Sequence, residues 1–125
     1  MTSRAPGQFA NEKYLNLETS RKTGVPVRTP LWFAEENGLL YIYSLADAGK
    51  VKRIRNNPRV RVAPCDMRGN LKGDWVSGQA RILDGAEADH ANSLLDAKYG
   101  LMKRIGNLTS NLLGRKRAFL AIQVD

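Results

Sequence analysis

Residues 25–33, VPVRTPLWF, constrain this chain more than any other stretch. The run alternates. Val25, Val27, Thr29, Leu31 and Phe33 face one way, and Pro26, Arg28, Pro30 and Trp32 the other. A period of two belongs to a β-strand. Two prolines on one face then restrict where that strand can lie. Proline has no N–H to give to a ladder, so it sits at a sheet edge or a bulge. The strand is therefore expected to be open along part of its length, where a ligand can meet backbone groups.

The flanking sequence supplies partners. Residues 9–14 predict a short helix. YLNLETS (14–20) alternates, with Leu15, Leu17 and Thr19 on one side, and RKTG (21–24) is a turn signal. EENG (35–38) predicts a hairpin loop before a third strand, LLYIYS. Residues 47–57 predict a helix with Asp47 as N-cap and Ala48, Val51 and Ile54 as a narrow apolar stripe. NNP (56–58) stops it. RVRVAPC (59–65) predicts a fourth strand and DMRGNLKGD (66–74) a long turn. WVSGQARIL (75–83) predicts a fifth strand, with Val76, Ala80 and Ile82 inward. A helix is expected over 86–99, and Leu101, Ile105, Leu108 and Leu112 then recur at helical spacing. RAFLAIQV (117–124) closes as a sixth strand. The pattern predicts a mainly β fold: a small six-stranded antiparallel barrel with inserted helices.

A length of 125 residues predicts one domain, 1–125, with residues 1–8 as a loose end. Such a domain buries roughly two-thirds of its unfolded surface. Cys65 is the only cysteine, so no internal disulfide forms, which fits a reducing cytoplasm. The polar start, with Pro6 and Gly7, lacks a signal-peptide pattern, and no apolar run approaches the ~20 residues of a membrane span. A cytoplasmic protein is expected. The formal charge of +8 favours an anionic partner: nucleic acid, an acidic membrane surface or a polyanionic ligand.

Much of that charge lies in one stretch. Lys50, Lys52, Arg53, Arg55, Arg59 and Arg61 follow Asp47 with no intervening acid. A helix N-terminus presents free N–H groups and about half a positive charge. Gly49 in the first turn would let an oxyanion approach, with Lys50 beside it and Ser44 adding a hydroxyl. The alternative is a solvated basic face.

The stretch GVPVRTPLWFAEENGLLYIYSLADAGKVKRIRNNPRVRV, with GDWVSGQARIL after it, resembles the pyridoxamine-phosphate-oxidase-like flavin split barrels. Within them it is similar to the branch that uses coenzyme F420, a deazaflavin. TPLWF, KVKRIRNNPRV and GQARIL carry the resemblance, which spans about residues 13–83 and extends to the last strand. It implies a homodimer with each cofactor in a groove between subunits, and a small-molecule substrate. By position, Arg28, Thr29, Pro30 and Leu31 would line the ring, largely through backbone. Tyr43, Ser44 and Lys50 would hold the phosphate end, with Arg117 outside the site. Lys52, Arg55, Arg59, Arg61 and Arg68 would meet the acidic tail. Trp75 and Trp32 are candidates to cover the ring.

The chain also departs from the family. FMN-using members commonly place Ser-Arg-Lys at the phosphate corner, where this chain has Ala48, Gly49 and Lys50. A hydroxyl and a guanidinium are thus absent from those positions. A singly charged phosphodiester needs fewer partners than the FMN monoester, which favours F420, with FMN as the alternative. The Arg-Gln-Val-Arg run of the pyridoxamine-phosphate oxidases is replaced by KGDWVSG, so that substrate is not expected. His90 is the only histidine, which leaves no metal site or triad. Cys65 lacks a histidine nearby in sequence, and no catalytic side chain is assigned, because the cofactor carries hydride chemistry. A different class, a nucleic-acid binder on a small OB-like barrel, would use Trp32, Tyr41 and Trp75 as stacking platforms. Against it, the charges gather at one corner and do not interleave with aromatics. A haem-binding relative would need a ligand where His90 is not expected to lie.

Overall fold

The computed structural model describes residues 7–100 and 116–125. Among them are seven strands: β1 (Tyr14–Ser20), β2 (Pro26–Trp32), β3 (Ala34–Glu36), β4 (Leu39–Leu45), β5 (Arg59–Cys65), β6 (Val76–Leu83) and β7 (Arg117–Val124). Two helices accompany them, α1 (Gly49–Asn56) and α2 (Gly85–Tyr99). All strand pairs are antiparallel, in the order β2-β1-β5-β6-β7-β4-β3. This is a mainly β split barrel.

Alternation builds the core. Leu15 and Leu17, Leu40 and Ile42, Val60 and Val62, Leu120 and Ile122 all turn inward and are buried. Each such side chain contributes about 1.5–3 kcal/mol by leaving water. Val51 and Ile54 of α1 close one end of this core. On the outer face, α2 lays Ala91 and Leu95 over the sheet, and Ala91 packs with Tyr41, Leu83 and Ala121. Gly78 is required by close approach, since a Cβ there would stand 2.6 Å from the Gln123 carbonyl oxygen.

The sequence predicts six strands and the structure has seven. The added strand, β3, continues β2 around a corner at Phe33. Before that corner the chain pairs with β1, from Tyr14↔Trp32 onward, and after it with β4, beginning at Ala34↔Tyr41. Asn37 and Gly38 then turn the hairpin, both at positive φ, as a type I′ turn requires.

Two helix expectations are corrected. Residues 7–9 form a short 3₁₀ turn, Asn11 takes a positive φ, and Tyr14 already begins β1, so no helix covers 9–14. The first helix starts at Gly49, with Ala48 rather than Asp47 at its N-cap position. A turn intervenes, closed by the Ala48 N–H on the Leu45 carbonyl at 3.0 Å. The helical spacing of Leu101, Ile105, Leu108 and Leu112 lies outside the described residues. Among the described residues, no helix is long and apolar enough to cross a membrane.

The Phe33 corner leaves backbone groups that no ladder can satisfy, and α2 supplies the partners. The Tyr99 hydroxyl accepts from the Phe33 N–H at 2.9 Å, and lies 2.6 Å from the carbonyl oxygens of Phe33 and Lys13. Lys98 Nζ donates to the carbonyls of Phe33 at 2.8 Å and Glu12 at 2.6 Å. Its ammonium also lies over the Phe33 ring. A buried amide left without its partner costs about 1–3 kcal/mol. Tyr99→Phe is therefore expected to lower stability by about that amount, read as a fall of several degrees in thermal denaturation. An unchanged melting temperature would show that the corner does not depend on this hydroxyl.

Candidate functional site

The corner opens a groove. β3 covers β4 only as far as Tyr41, so among the described residues no strand pairs with 42–45 of β4 on that side. β2 is the opposite edge of the sheet, and it lies against β4 without pairing to it. Between these edges Tyr14, Pro30, Leu31, Trp32 and Tyr43 line a wide, open cleft of about 380 Å³. The prolines identify which backbone groups face it. In an antiparallel pair, alternate residues turn their N–H and C=O to the partner strand and to the open side. Pro26 and Pro30, having no N–H, belong on the open side, and Arg28 and Trp32 share their alternation. Thr29 and Leu31 then turn their backbone groups to β1.

Trp32 stacks on Tyr99, with ring centroids 4.7 Å apart and planes 12° from parallel. Beyond it is a second cleft of about 420 Å³, bordered by Asn11, Tyr14, Trp32, Met67, Lys98 and Tyr99. Tyr14 and Trp32 border both clefts, so the two share a wall. Burial holds the Tyr99 hydroxyl protonated well above the usual phenol range. Burial likewise pushes the Lys98 ammonium down to about 8, with Glu35 and Glu12 opposing.

At the other end is the start of α1. Ser44 is buried, on the same face of β4 as Leu40 and Ile42, so Ser44 and Tyr43 point to opposite sides. The space beside Gly49 is taken. The Arg53 guanidinium folds back across it, and a Cβ at Gly49 would stand 2.8 Å from Arg53 Nη1. Arg53 Nε donates to the buried Thr19 hydroxyl at 2.7 Å. Lys50 is half-buried on the same side of the helix, and burial, then the charge of Arg53, push its ammonium below the usual lysine range. Lys52 and Arg55 are exposed.

Other predicted residues gather elsewhere. Glu18 receives Arg61 through two bonds, at 2.9 and 2.8 Å, and Arg28 at 2.9 Å. The hydrogen bond from Arg61, then that from Arg28, holds the Glu18 carboxyl below the usual carboxylate range. Both guanidiniums lie on the Trp75 ring, 4.9 and 5.1 Å from its centroid. Trp75 and Arg28 border neither cleft. Arg59 pairs with Asp125. Arg68 lies in the 66–74 turn, its N–H donating to Asp66. Arg117, expected outside the site, borders neither cleft but lies close to Tyr43. Its guanidinium is 5.7 Å from the centroid of the Tyr43 ring, and one of its nitrogens is buried without a hydrogen bond.

A family model described as pyridoxamine 5'-phosphate oxidase matches residues 4–123. The chain belongs to that family. No curated protein matches it. Solved structures share the fold, among them an F420-H2 dependent reductase, FDR-A, at 20% identity and TM-score 0.62, covering 89% of this chain and 94% of that one. A FAD-binding protein of Mesorhizobium loti has 21% identity and TM-score 0.62, over 94% and 83%. HutZ, a heme storage protein of Vibrio cholerae, has 15% identity and TM-score 0.71, over 92% and 83%. The likeness to these three is one of fold.

Within the pyridoxamine 5'-phosphate oxidase family, the split barrel of this chain carries no metal cluster among its described residues. His90 lies 2.5 Å from Glu36 on the outer face of β3, edge-on to Tyr41, and borders neither cleft. Cys65 is buried, and burial raises its thiol to about 11, so it stays protonated and unreactive near neutrality.

Lys98 provides a test of the corner that frames both clefts. Its folded pKa, about 8, lies below the ordinary 10.5, so between those values the unfolded chain binds more protons than the folded one. Stability contributed by Lys98 must then rise with pH across that window. The difference in stability between wild type and Lys98→Met should shift toward wild type from pH 8 to pH 10. A difference that stays flat across the window would contradict the burial of this ammonium.

Proposed function

We propose that this chain is a split-barrel oxidoreductase that binds coenzyme F420 between two copies of itself and reduces a small unsaturated or conjugated acceptor. The observation that carries the reading is the unpaired edge of β2 facing the unpaired end of β4. Apolar and aromatic walls from Pro30, Leu31, Trp32 and Tyr43 fit a flat tricyclic ring, and the open-side backbone of Arg28 and Trp32 can meet its polar rim. Bound there, the reduced deazaflavin supplies a hydride from ring carbon C5. The chain's own residues bind and orient. Trp32, held flat on Tyr99, is a rigid wall between ring and substrate cleft. Lys50 and Arg53 anchor the phosphate. The cleft beyond Trp32, with Tyr14, Met67 and Tyr99 around it, takes the acceptor. Met67 is largely exposed there, consistent with a second copy covering it.

A second reading, FMN in the same groove, rests on Arg53. The guanidinium missing from the phosphate corner in sequence is brought close to it through the space that Gly49 leaves. A doubly charged monoester gains most from such a partner.

Titrating the protein with F420 and, in parallel, with FMN separates the two. The account expects saturable binding of F420 at tens of micromolar or below, tighter than FMN. Lys50→Ala should weaken it about tenfold or more, as the loss of a charge-assisted bond implies. Tighter binding of FMN would favour the second reading, and no saturable response to either would overturn both.

A further inference from the structure

A group of cations lies outside the groove, where the turn between β1 and β2 faces α1. Ser20, Arg21, Lys22, Arg53, Asn56 and Asn57 enclose a cavity of about 350 Å³. Three of these side chains are cations, two are amides, one is a hydroxyl, and none is an acid. Several other cations among the described residues are matched. Arg28 and Arg61 meet Glu18, Arg59 meets Asp125, Lys72 meets Glu12 and Arg81 meets Glu87.

Arg53 is a fixed wall of this cavity. Its Nε is tied to the buried Thr19 hydroxyl, and its guanidinium fills the space left by Gly49. Any side chain at position 49 would force that guanidinium aside. Lys50 adds a half-buried ammonium three residues before Arg53 on the same helical side, and the two cations act on one another. Like charges gathered in a partly buried setting raise the energy of the empty cluster, and an anion beside them lowers it.

We propose that this cavity is an oxyanion pocket, built by Arg21, Lys22 and Arg53, that takes a phosphate or carboxylate group. Two sources share that chemistry. One is the acidic tail of the ligand in the groove, which rests on the F420 reading above. The other is a free polyphosphate, which is independent of it.

Calorimetric titration distinguishes them. Wild type, Arg21→Gln, Arg53→Gln and Arg81→Gln are each titrated with inorganic pyrophosphate, with F420 bearing its glutamate tail, and with the deazaflavin ring lacking phosphate and tail. Loss of one guanidinium contact is expected to weaken an anion about tenfold. Arg21→Gln and Arg53→Gln should both show that loss for the tailed cofactor, for pyrophosphate, or for both. The tailless ring should stay within twofold, and Arg81→Gln should match wild type. Loss confined to the tailed cofactor assigns the tail as the occupant. Loss for pyrophosphate in a protein that binds neither deazaflavin supports the pocket and overturns the F420 reading. The pocket is overturned if wild type binds none of the three. It is also overturned if Arg21→Gln, on an exposed turn, keeps wild-type affinity for both anions, or weakens the tailless ring equally.

Discussion

The structure depends on how the backbone N–H and C=O of one residue, Phe33, are satisfied. A strand that leaves one neighbour for another must abandon its ladder at the turning point, and a buried N–H and C=O left there would be costly. Tyr99 and Lys98, consecutive residues at the end of α2, meet both groups. Phe33 itself is buried, edge-on to Phe9 at 5.8 Å. With the corner held, β2 can serve β1 and β3 can serve β4, and the stretch between them cannot pair. The groove is the direct consequence. The same two side chains also border the second cleft, so one set of contacts supports the fold and shapes the candidate site.

Charge is distributed with a similar division. The outer face of β1, β2 and β5 is a neutralising assembly, with Glu18 between two arginines and Trp75 beneath both guanidiniums. Its exposed pairs add little to stability individually. Around α1 the balance differs. Arg21, Lys22 and Arg53 line a cavity with no acid in its wall, Lys50 lies beside Arg53, and Arg117 stands over Tyr43 near the groove. Part of the +8 excess is thus offset by ion pairs among the described residues.

Local patterning made most of the fold legible. The bounds of β1, β5 and β7 follow from strict alternation between turn signals, and the edge position of β2 follows from two prolines at alternate sites. The Phe33 corner was not legible, because apolar alternation runs through it without a break. The start of α1 was misplaced because an acid before an apolar stripe reads as a cap, whereas here a turn comes between. In the site, Pro30, Leu31 and Tyr43 come together as their positions suggest. Ser44 turns to the core, and Arg59 and Arg61 are matched by Asp125 and Glu18, pairings set by strand register over 66 and 43 residues. The places of Arg53 and Arg117 were not legible for related reasons. One reaches back across a glycine four residues earlier, and the other owes its place to pairing opposite Leu45.

The chain has two tryptophans, Trp32 in the groove and Trp75 beneath Arg28 and Arg61, bordering neither cleft, and this permits a direct measurement. In Trp75→Phe the emission belongs to Trp32 alone. The account predicts that F420 quenches this emission saturably, with the same midpoint as the change in the cofactor's own fluorescence. Saturation of the cofactor signal with Trp32 emission unchanged would place the ligand elsewhere and contradict the groove as its site.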